Sequence, residues 1–108
     1  EVCMNKELLK GTTEVMILKM LEKEPMYGYG MIKNFDIMSN GTFKFKEGTL
    51  YPLLHSLEKK KYIESFWDSS DGRKRKYYKI TTAGLKQLQA KKEEWQIFSS
   101  ALNGLLEF

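Results

Sequence analysis

The residues best suited to chemistry are basic and lie close together in the second half of the chain. Residues 43–81 hold 10 of the 18 lysines and arginines and only 5 acids, while the rest of the chain is close to neutral. The densest run is Arg73-Lys74-Arg75-Lys76, and two tyrosines follow it. Such a local basic surface is suited to binding phosphate groups, although charge alone is equally compatible with a solvated face.

Catalysis has little support in the composition. The chain has one histidine, His55, and one cysteine, Cys3, which excludes a histidine cluster, a cysteine-based zinc site and an intramolecular disulfide. The acids are scattered, there is no glycine-rich phosphate loop, and no set of nucleophile and base can be assembled. We therefore predict a protein that is not an enzyme and that uses neither a cofactor nor a metal.

Length and hydropathy predict a single soluble domain. The 108 residues are about one domain's worth, and a hydrophobic share of 42% is sufficient for a core. No apolar run approaches the roughly 18 residues of a membrane span, and the chain does not start with a signal pattern. We expect a cytoplasmic protein without membrane contact.

Hydrophobic spacing predicts three helices in the first part of the chain. The first covers residues 6–23 and ends at Pro25, and the second covers residues 27–38. The third begins at Thr49, the predicted cap, because Pro52 lacks an N–H and fits only in a first turn. Its apolar stripe comprises Leu50, Leu53, Leu54 and Leu57. Its polar side, where we expect contacts, comprises Thr49, Pro52, His55, Ser56 and Lys59.

Strand patterns flank the third helix. Alternation of phenylalanine and lysine predicts a short strand over residues 42–46. Residues 62–67 and 73–80 read as two strands joined by a turn over residues 68–72, which together form a hairpin with a basic return strand.

The last helix carries an apolar seam that predicts pairing of two copies of the chain. Thr81 or Thr82 can cap this helix, and apolar side chains recur at coiled-coil a and d positions with Lys91 as the only break. A small monomer cannot cover so much apolar surface. The predicted dimer interface comprises Leu8 of the first helix and five residues of the last helix, namely Leu88, Trp95, Phe98, Leu102 and Leu105.

The order of these elements is typical of a winged helix-turn-helix, a mainly α fold with a small β-hairpin. In that fold the third helix enters the major groove of DNA and the hairpin forms the wing. We expect residues 1–81 to form the DNA-binding domain and residues 82–108 the C-terminal dimerisation helix of one compact unit.

Four motifs in sequence resemble the PadR-type transcriptional regulators. They are residues 9–18, residues 25–29, residues 47–58, and residues 73–81 followed by Gly84. Lys61 stands where the family usually has Gly before the first wing strand, a position where a left-handed residue would suit Gly or Asn better. The resemblance implies a homodimeric regulator of the shorter subfamily with one C-terminal helix, usually a repressor, which binds a pseudo-palindromic operator in double-stranded DNA.

The predicted DNA contacts lie on three elements. Residues of the second helix would touch the backbone, those of the third would read bases, and those of the hairpin would grip phosphates or the minor groove. The candidates are Tyr29, Lys33, Thr49, Tyr51, His55, Lys59, Arg73, Lys74 and Arg75. Tyr29 could equally belong to the core, and the hairpin charges could simply keep its tip solvated.

Some members of the resembled family bind planar aromatic or drug-like molecules between subunits. That resemblance implies a small effector at Trp95 and Phe98, with Val15 and other first-helix residues such as Met4 at the sides; Trp95 could equally be dimer core.

An alternative function is a winged-helix dimer that binds proteins or ligands without sequence-specific DNA binding. Such a module would not need the charge asymmetry.

Overall fold

The structure is a computed structural model that describes residues 12–107. Its elements in chain order are α1 (Thr13–Lys23), β1 (Met26–Tyr27), α2 (Gly28–Met38), α3 (Glu47–Lys59), β2 (Ile63–Asp68), β3 (Arg75–Ile80) and α4 (Thr82–Leu106). This order confirms the mainly helical winged-helix prediction. The predicted start of the first helix, with Met4 and Leu8, lies outside the described residues. None of the helices described is long and apolar enough to cross a membrane.

One apolar core joins the helices to the hairpin. Three leucines of α3 lie fully buried in it, which confirms the predicted stripe and turns the polar side of α3 outward. Each such side chain contributes roughly 1.5–3 kcal/mol of transfer free energy. The core comprises Ile17, Leu18, Met20, Leu21, Met31, Phe35, Phe45, Leu50, Leu54, Leu57, Ile63, Tyr78 and Leu88.

The strand predicted over residues 42–46 is wrong, because this segment forms no sheet pairing. Its alternation has another cause. Phe45 is buried with its ring edge-on to Phe35 at 5.2 Å between centroids, and Phe43 stacks on Phe45 at 6.4 Å. Lys44 between them and Lys46 after them are exposed. Packing of the two phenylalanines thus produces a strand-like pattern without a strand partner.

The hairpin gains its third strand from β1 instead. Met26 pairs with Tyr78 and Tyr27 pairs with Tyr77, so the antiparallel sheet has the order β1-β3-β2. A two-residue strand is too short to show alternation. It ties the start of α2 directly to the wing.

Helix α3 begins before the predicted position, and Thr49 is not its cap. The carbonyl of Lys46 accepts hydrogen bonds from the N–H groups of Thr49 and Leu50, both at 3.0 Å, and no side chain caps the helix. Pro52 therefore lies in the second turn, where it leaves the carbonyl of Gly48 without a helical donor. The side chain of Thr49 is exposed.

Thr81 caps α4 and anchors it to the end of α3. Its hydroxyl oxygen accepts from the N–H of Gly84 at 3.0 Å and donates to the carbonyl of Lys61 at 2.7 Å. A Cβ on Gly84 would collide with the carbonyl of Tyr62 and lie 2.7 Å from Ile80. Glycine there allows the first turn of α4 to pack closely on the wing strands.

Helix α3 ends in a left-handed turn at Lys61, whose φ is 66°. The N–H of Lys61 donates to the carbonyl of Glu58, and the N–H of Tyr62 donates to the carbonyl of Leu57, both at 3.0 Å. These are the two hydrogen bonds of a Schellman motif, which usually has glycine at the left-handed position. A side chain there costs about 1–2 kcal/mol.

Replacing Lys61 by glycine should therefore stabilise the protein. We expect Lys61→Gly to raise the free energy of unfolding by about 1 kcal/mol in a urea titration, because the strain of a left-handed side chain is removed. Lys59→Gly is the matched control, since it removes a lysine from the helical end of α3 and should lower stability by about 0.5–1 kcal/mol. An unchanged or lower stability of Lys61→Gly would contradict the left-handed conformation of Lys61 at the end of α3.

Candidate nucleic-acid interface

The outward side of α3 is a polar surface opposite the buried leucines. Thr49, Pro52, His55 and Lys59 are exposed along it, as predicted from the helical period. Their side chains include a hydroxyl, an imidazole and an ammonium group. These are groups that can donate hydrogen bonds to base edges or phosphates.

Tyr51 differs from the other candidates of α3 because it is half-buried. Its ring and hydroxyl lie against Gly28, the first residue of α2, where an added Cβ would be 2.9 Å from the ring carbon Cε1. Burial raises the pKa of Tyr51, and the carboxylate of Glu47 one turn earlier adds to the effect. The position of Tyr51 indicates that it holds α2 against α3. Its contact with DNA stays a prediction.

Tyr29 and Lys33 are both exposed on α2. Tyr29 is 52% exposed, so it does not belong to the core. The Nζ of Lys33 lies 5.7 Å from the centroid of the Tyr29 ring, within the range of a cation–π contact. This pair leaves a hydroxyl and an ammonium group at the surface.

The strand register divides the hairpin into two faces. One face packs on the helical core near the base of the hairpin, and we call it the helix face. It carries the pairs Ile63–Ile80, Ser65–Tyr78 and Trp67–Lys76. The outer face carries the pairs Glu64–Lys79, Phe66–Tyr77 and Asp68–Arg75. On the outer face Lys79 forms an ion pair with Glu64 at 3.3 Å, and the rings of Phe66 and Tyr77 stack at 5.7 Å.

Arg75 belongs to the outer face and is already engaged there. Its guanidinium forms an ion pair with Asp71 and lies 4.8 Å from the centroid of the Tyr27 ring. Tyr27 in turn packs edge-on against Tyr77. Arg75 therefore links the wing to β1. In this respect it differs from Arg73, the other arginine of the predicted phosphate-binding set.

The loop between the wing strands presents Arg73 and Lys74 to solvent. The N–H of Ser70 donates to Oδ1 of Asp68 at 2.7 Å, which lowers the pKa of that carboxyl, and the N–H of Arg73 donates to Asp71 at 3.2 Å. The acids of the loop are thus engaged by its own backbone and by Arg75. The side chains of Arg73 and Lys74 leave the tip positively charged.

Comparison with known proteins decides the family of the chain. Residues 17–90 match the model of the PadR-like family of transcriptional regulators. The chain belongs to this family. A relative from Lysinibacillus sphaericus, an uncharacterized protein, is 38% identical over 90 residues, which cover 82% of this chain and 83% of the relative.

Solved structures of PadR-family and other transcriptional regulators share the fold. A PadR-like transcriptional regulator from Bacillus cereus is 38% identical with a TM-score of 0.85, and the match covers 95% of this chain and 99% of that chain. A transcriptional regulator from Clostridium thermocellum is 33% identical with a TM-score of 0.84, and covers 92% and 97%. The polar side of α3 and the wing tip are therefore the candidate DNA contacts of a PadR-family regulator.

The second half of α4 leaves the body of this PadR-family chain and exposes its apolar seam. Trp95, Phe98, Leu102 and Leu105 are between 40% and 82% exposed. Their place in a dimer interface stays a prediction. The inclusion of Leu88 in the dimer interface is wrong. Leu88 is 1% exposed and packs in the core of its own protomer.

A cleft of about 750 Å³ lies between α1, the end of α2 and the middle of α4. It brings together Val15 and Trp95, two of the three predicted effector residues of this PadR-family chain. Phe98 does not line it, but its ring packs on Trp95 at 5.7 Å. The lining residues are Thr12, Val15, Met16, Lys19, Met20, Lys23, Phe35, Met38, Ser39, Phe43, Leu88, Lys91, Lys92, Glu94 and Trp95.

Proposed function

We propose that the chain is a dimeric PadR-family repressor that binds a pseudo-palindromic operator and releases it when a small aromatic ligand binds. The observation that carries the DNA-binding part is the joint exposure of the polar side of α3 and of a basic wing tip whose acids are bonded by the loop backbone and by Arg75. A protein-interaction module has no need of that arrangement, whereas a DNA reader does.

In the proposed complex α3 lies in the major groove. Thr49 and His55 contact base edges, Lys59 contacts phosphate, and Tyr29 with Lys33 contacts the backbone beside α3. Arg73 and Lys74 contact phosphates from the wing. A two-fold dimer then places two copies of α3 in half-sites about 34–36 Å apart, one helical turn of DNA.

The wing contacts are tested by the salt dependence of binding to a random-sequence duplex, measured by fluorescence anisotropy. Arg73→Ala and Lys74→Ala should weaken binding on all sequences and flatten the plot of log K against log salt by about 1 each, because each removes a phosphate contact. Lys79→Ala, which removes an equal charge paired with Glu64 on the outer face, should leave the slope unchanged. Equal slopes in all variants would contradict the proposal.

The exposed seam of α4 supports dimerisation. Trp95, Phe98 and Leu102 follow one side of the helix at three- and four-residue steps, and they leave a continuous apolar surface at the end of a 25-residue helix. Such a surface is typical of an interface in which two helices pack together.

A charge on this seam should separate the subunits. We expect Phe98→Glu and Leu102→Glu to give monomers in sedimentation equilibrium, since each buries an unpaired carboxylate in the interface. Ile97→Glu is the matched control, because Ile97 is 73% exposed and lies on another side of α4 beside Glu93 and Ser100. A dimer that survives both seam variants would place the interface elsewhere.

The cleft beside Trp95 supports the effector site. Its volume is within the range of roughly 300–1,000 Å³ that small-molecule sites have. Methionines and aromatic rings line it. Lys19 and Lys91 form ion pairs with Glu22 and Glu94, whereas Lys23 and Lys92 favour a ligand with an acidic group. A ligand releases DNA if it binds the DNA-free conformation of the dimer more tightly than the DNA-bound one.

Calorimetric titration with 4-butylbenzoate and its uncharged counterpart 4-butylbenzamide tests the cleft. The carboxylate should bind more tightly because of the lysines, and Trp95→Ala should weaken its binding by about tenfold through the loss of a large apolar contact. Ile37→Ala, an exposed apolar truncation outside the cleft, is the control. The proposed effector site would be contradicted if the two compounds bound equally well, or if Trp95→Ala bound 4-butylbenzoate as tightly as the wild-type protein.

A further inference from the structure

Trp67 is a large apolar side chain near the tip of the wing, and it is 61% exposed. It lies on the helix face of β2, two residues beyond Ser65. The hydroxyl of Ser65 donates to Oε2 of Glu58 on α3 at 2.7 Å, which fixes this face of the wing beside the end of α3. Trp67 lies on the same face beyond the core, and the described residues cover its ring only in part.

One lysine lies over the Trp67 ring, and a second is its neighbour on the same face of the hairpin. Lys76 is its cross-strand partner in the register, and the Nζ of Lys74 lies 5.1 Å from the ring centroid. The Nζ of Lys76 lies 5.6 Å from the ring of Tyr78, so it stays on the same face. We call Trp67, Lys74 and Lys76 the wing patch.

Each acid near the wing patch has a partner of its own, although Glu58 lies on the helix face close to Tyr78. Glu58 accepts from Ser65, and Asp68 accepts from the backbone of Ser70 on the outer-face side of the strand. Glu64 and Asp71 form ion pairs with Lys79 and Arg75. Among the described residues the wing patch thus combines an exposed apolar ring with two ammonium groups on the same face, neither of which forms an ion pair.

We propose that the wing patch contacts the sugar–phosphate wall of the minor groove, with the Trp67 ring against deoxyribose and the two lysines on the adjacent phosphates. This inference rests on the proposed DNA-binding function. A DNA strand offers apolar sugars between phosphates, which complements an exposed ring with cations on the same face. A neutral protein surface would instead leave two ammonium groups desolvated without partners.

Binding to a random-sequence duplex distinguishes an apolar contact from a charged one. Trp67→Ala should weaken binding by about tenfold without changing the salt slope, because removing the ring leaves the number of phosphate contacts unaltered. Lys76→Ala should lower the slope by about 1. Trp67→Phe, which keeps an aromatic ring, should bind close to wild type, and Ile37→Ala controls for loss of exposed apolar surface.

Fluorescence locates the contact directly. Trp95→Phe leaves Trp67 as the only tryptophan, and its emission should be quenched or shifted when duplex DNA is added. Binding of DNA with unaltered emission, or wild-type affinity of Trp67→Ala, would overturn the wing-patch contact while leaving the DNA-binding function intact. A salt slope lowered by Trp67→Ala would also overturn it, because the ring would then only hold Lys74. Absence of binding by the wild-type protein would refute the proposed function itself.

Discussion

Burial of one side of α3 is the constraint on which the rest of the structure depends. Leu50, Leu54 and Leu57 are at most 1% exposed, and any rotation of the helix would bring a leucine to the surface at roughly 1.5–3 kcal/mol each. The polar side of α3 is therefore fixed outward. The end of the same helix also sets the wing, because the carbonyl of Tyr62, just past the left-handed turn, accepts from the N–H of Thr81 at 3.0 Å.

The electrostatics of the wing follow from how its strands pair. Register places the acidic and basic partners Glu64 and Lys79 opposite each other on the outer face, and the same face holds Arg75 against Asp71 and Tyr27. Within residues 12–107, the positive charges at the tip and on the helix face have no such acidic partner. A modest net charge of +4 on the whole chain thus becomes a local basic surface beside α3.

Long periodic patterns predicted the fold well. Single contacts between residues that are distant in sequence were not predicted. The stripe of α3 and the hairpin each rest on several residues of one segment, so local spacing was sufficient. For the cap of the last helix the sequence left Thr81 and Thr82 open, and the structure assigns it to Thr81. The two-residue strand β1 has no period to detect. The role of Arg75 depends on Tyr27, which is distant in sequence. Leu88 fits the heptad of the last helix, yet the first turns of α4 pack on the body, and heptad spacing cannot show where a helix leaves its own core.

The central claim is that α3 and the wing read specific sites in DNA as a two-fold dimer. Selection of bound sequences from a random duplex pool, with purified protein at near-physiological salt and excess competitor DNA, tests it most directly. We expect enrichment of an inverted repeat whose half-sites lie about 10 base pairs apart. A recovered pool that stays random would contradict it, and the basic surface would then serve only non-specific attraction.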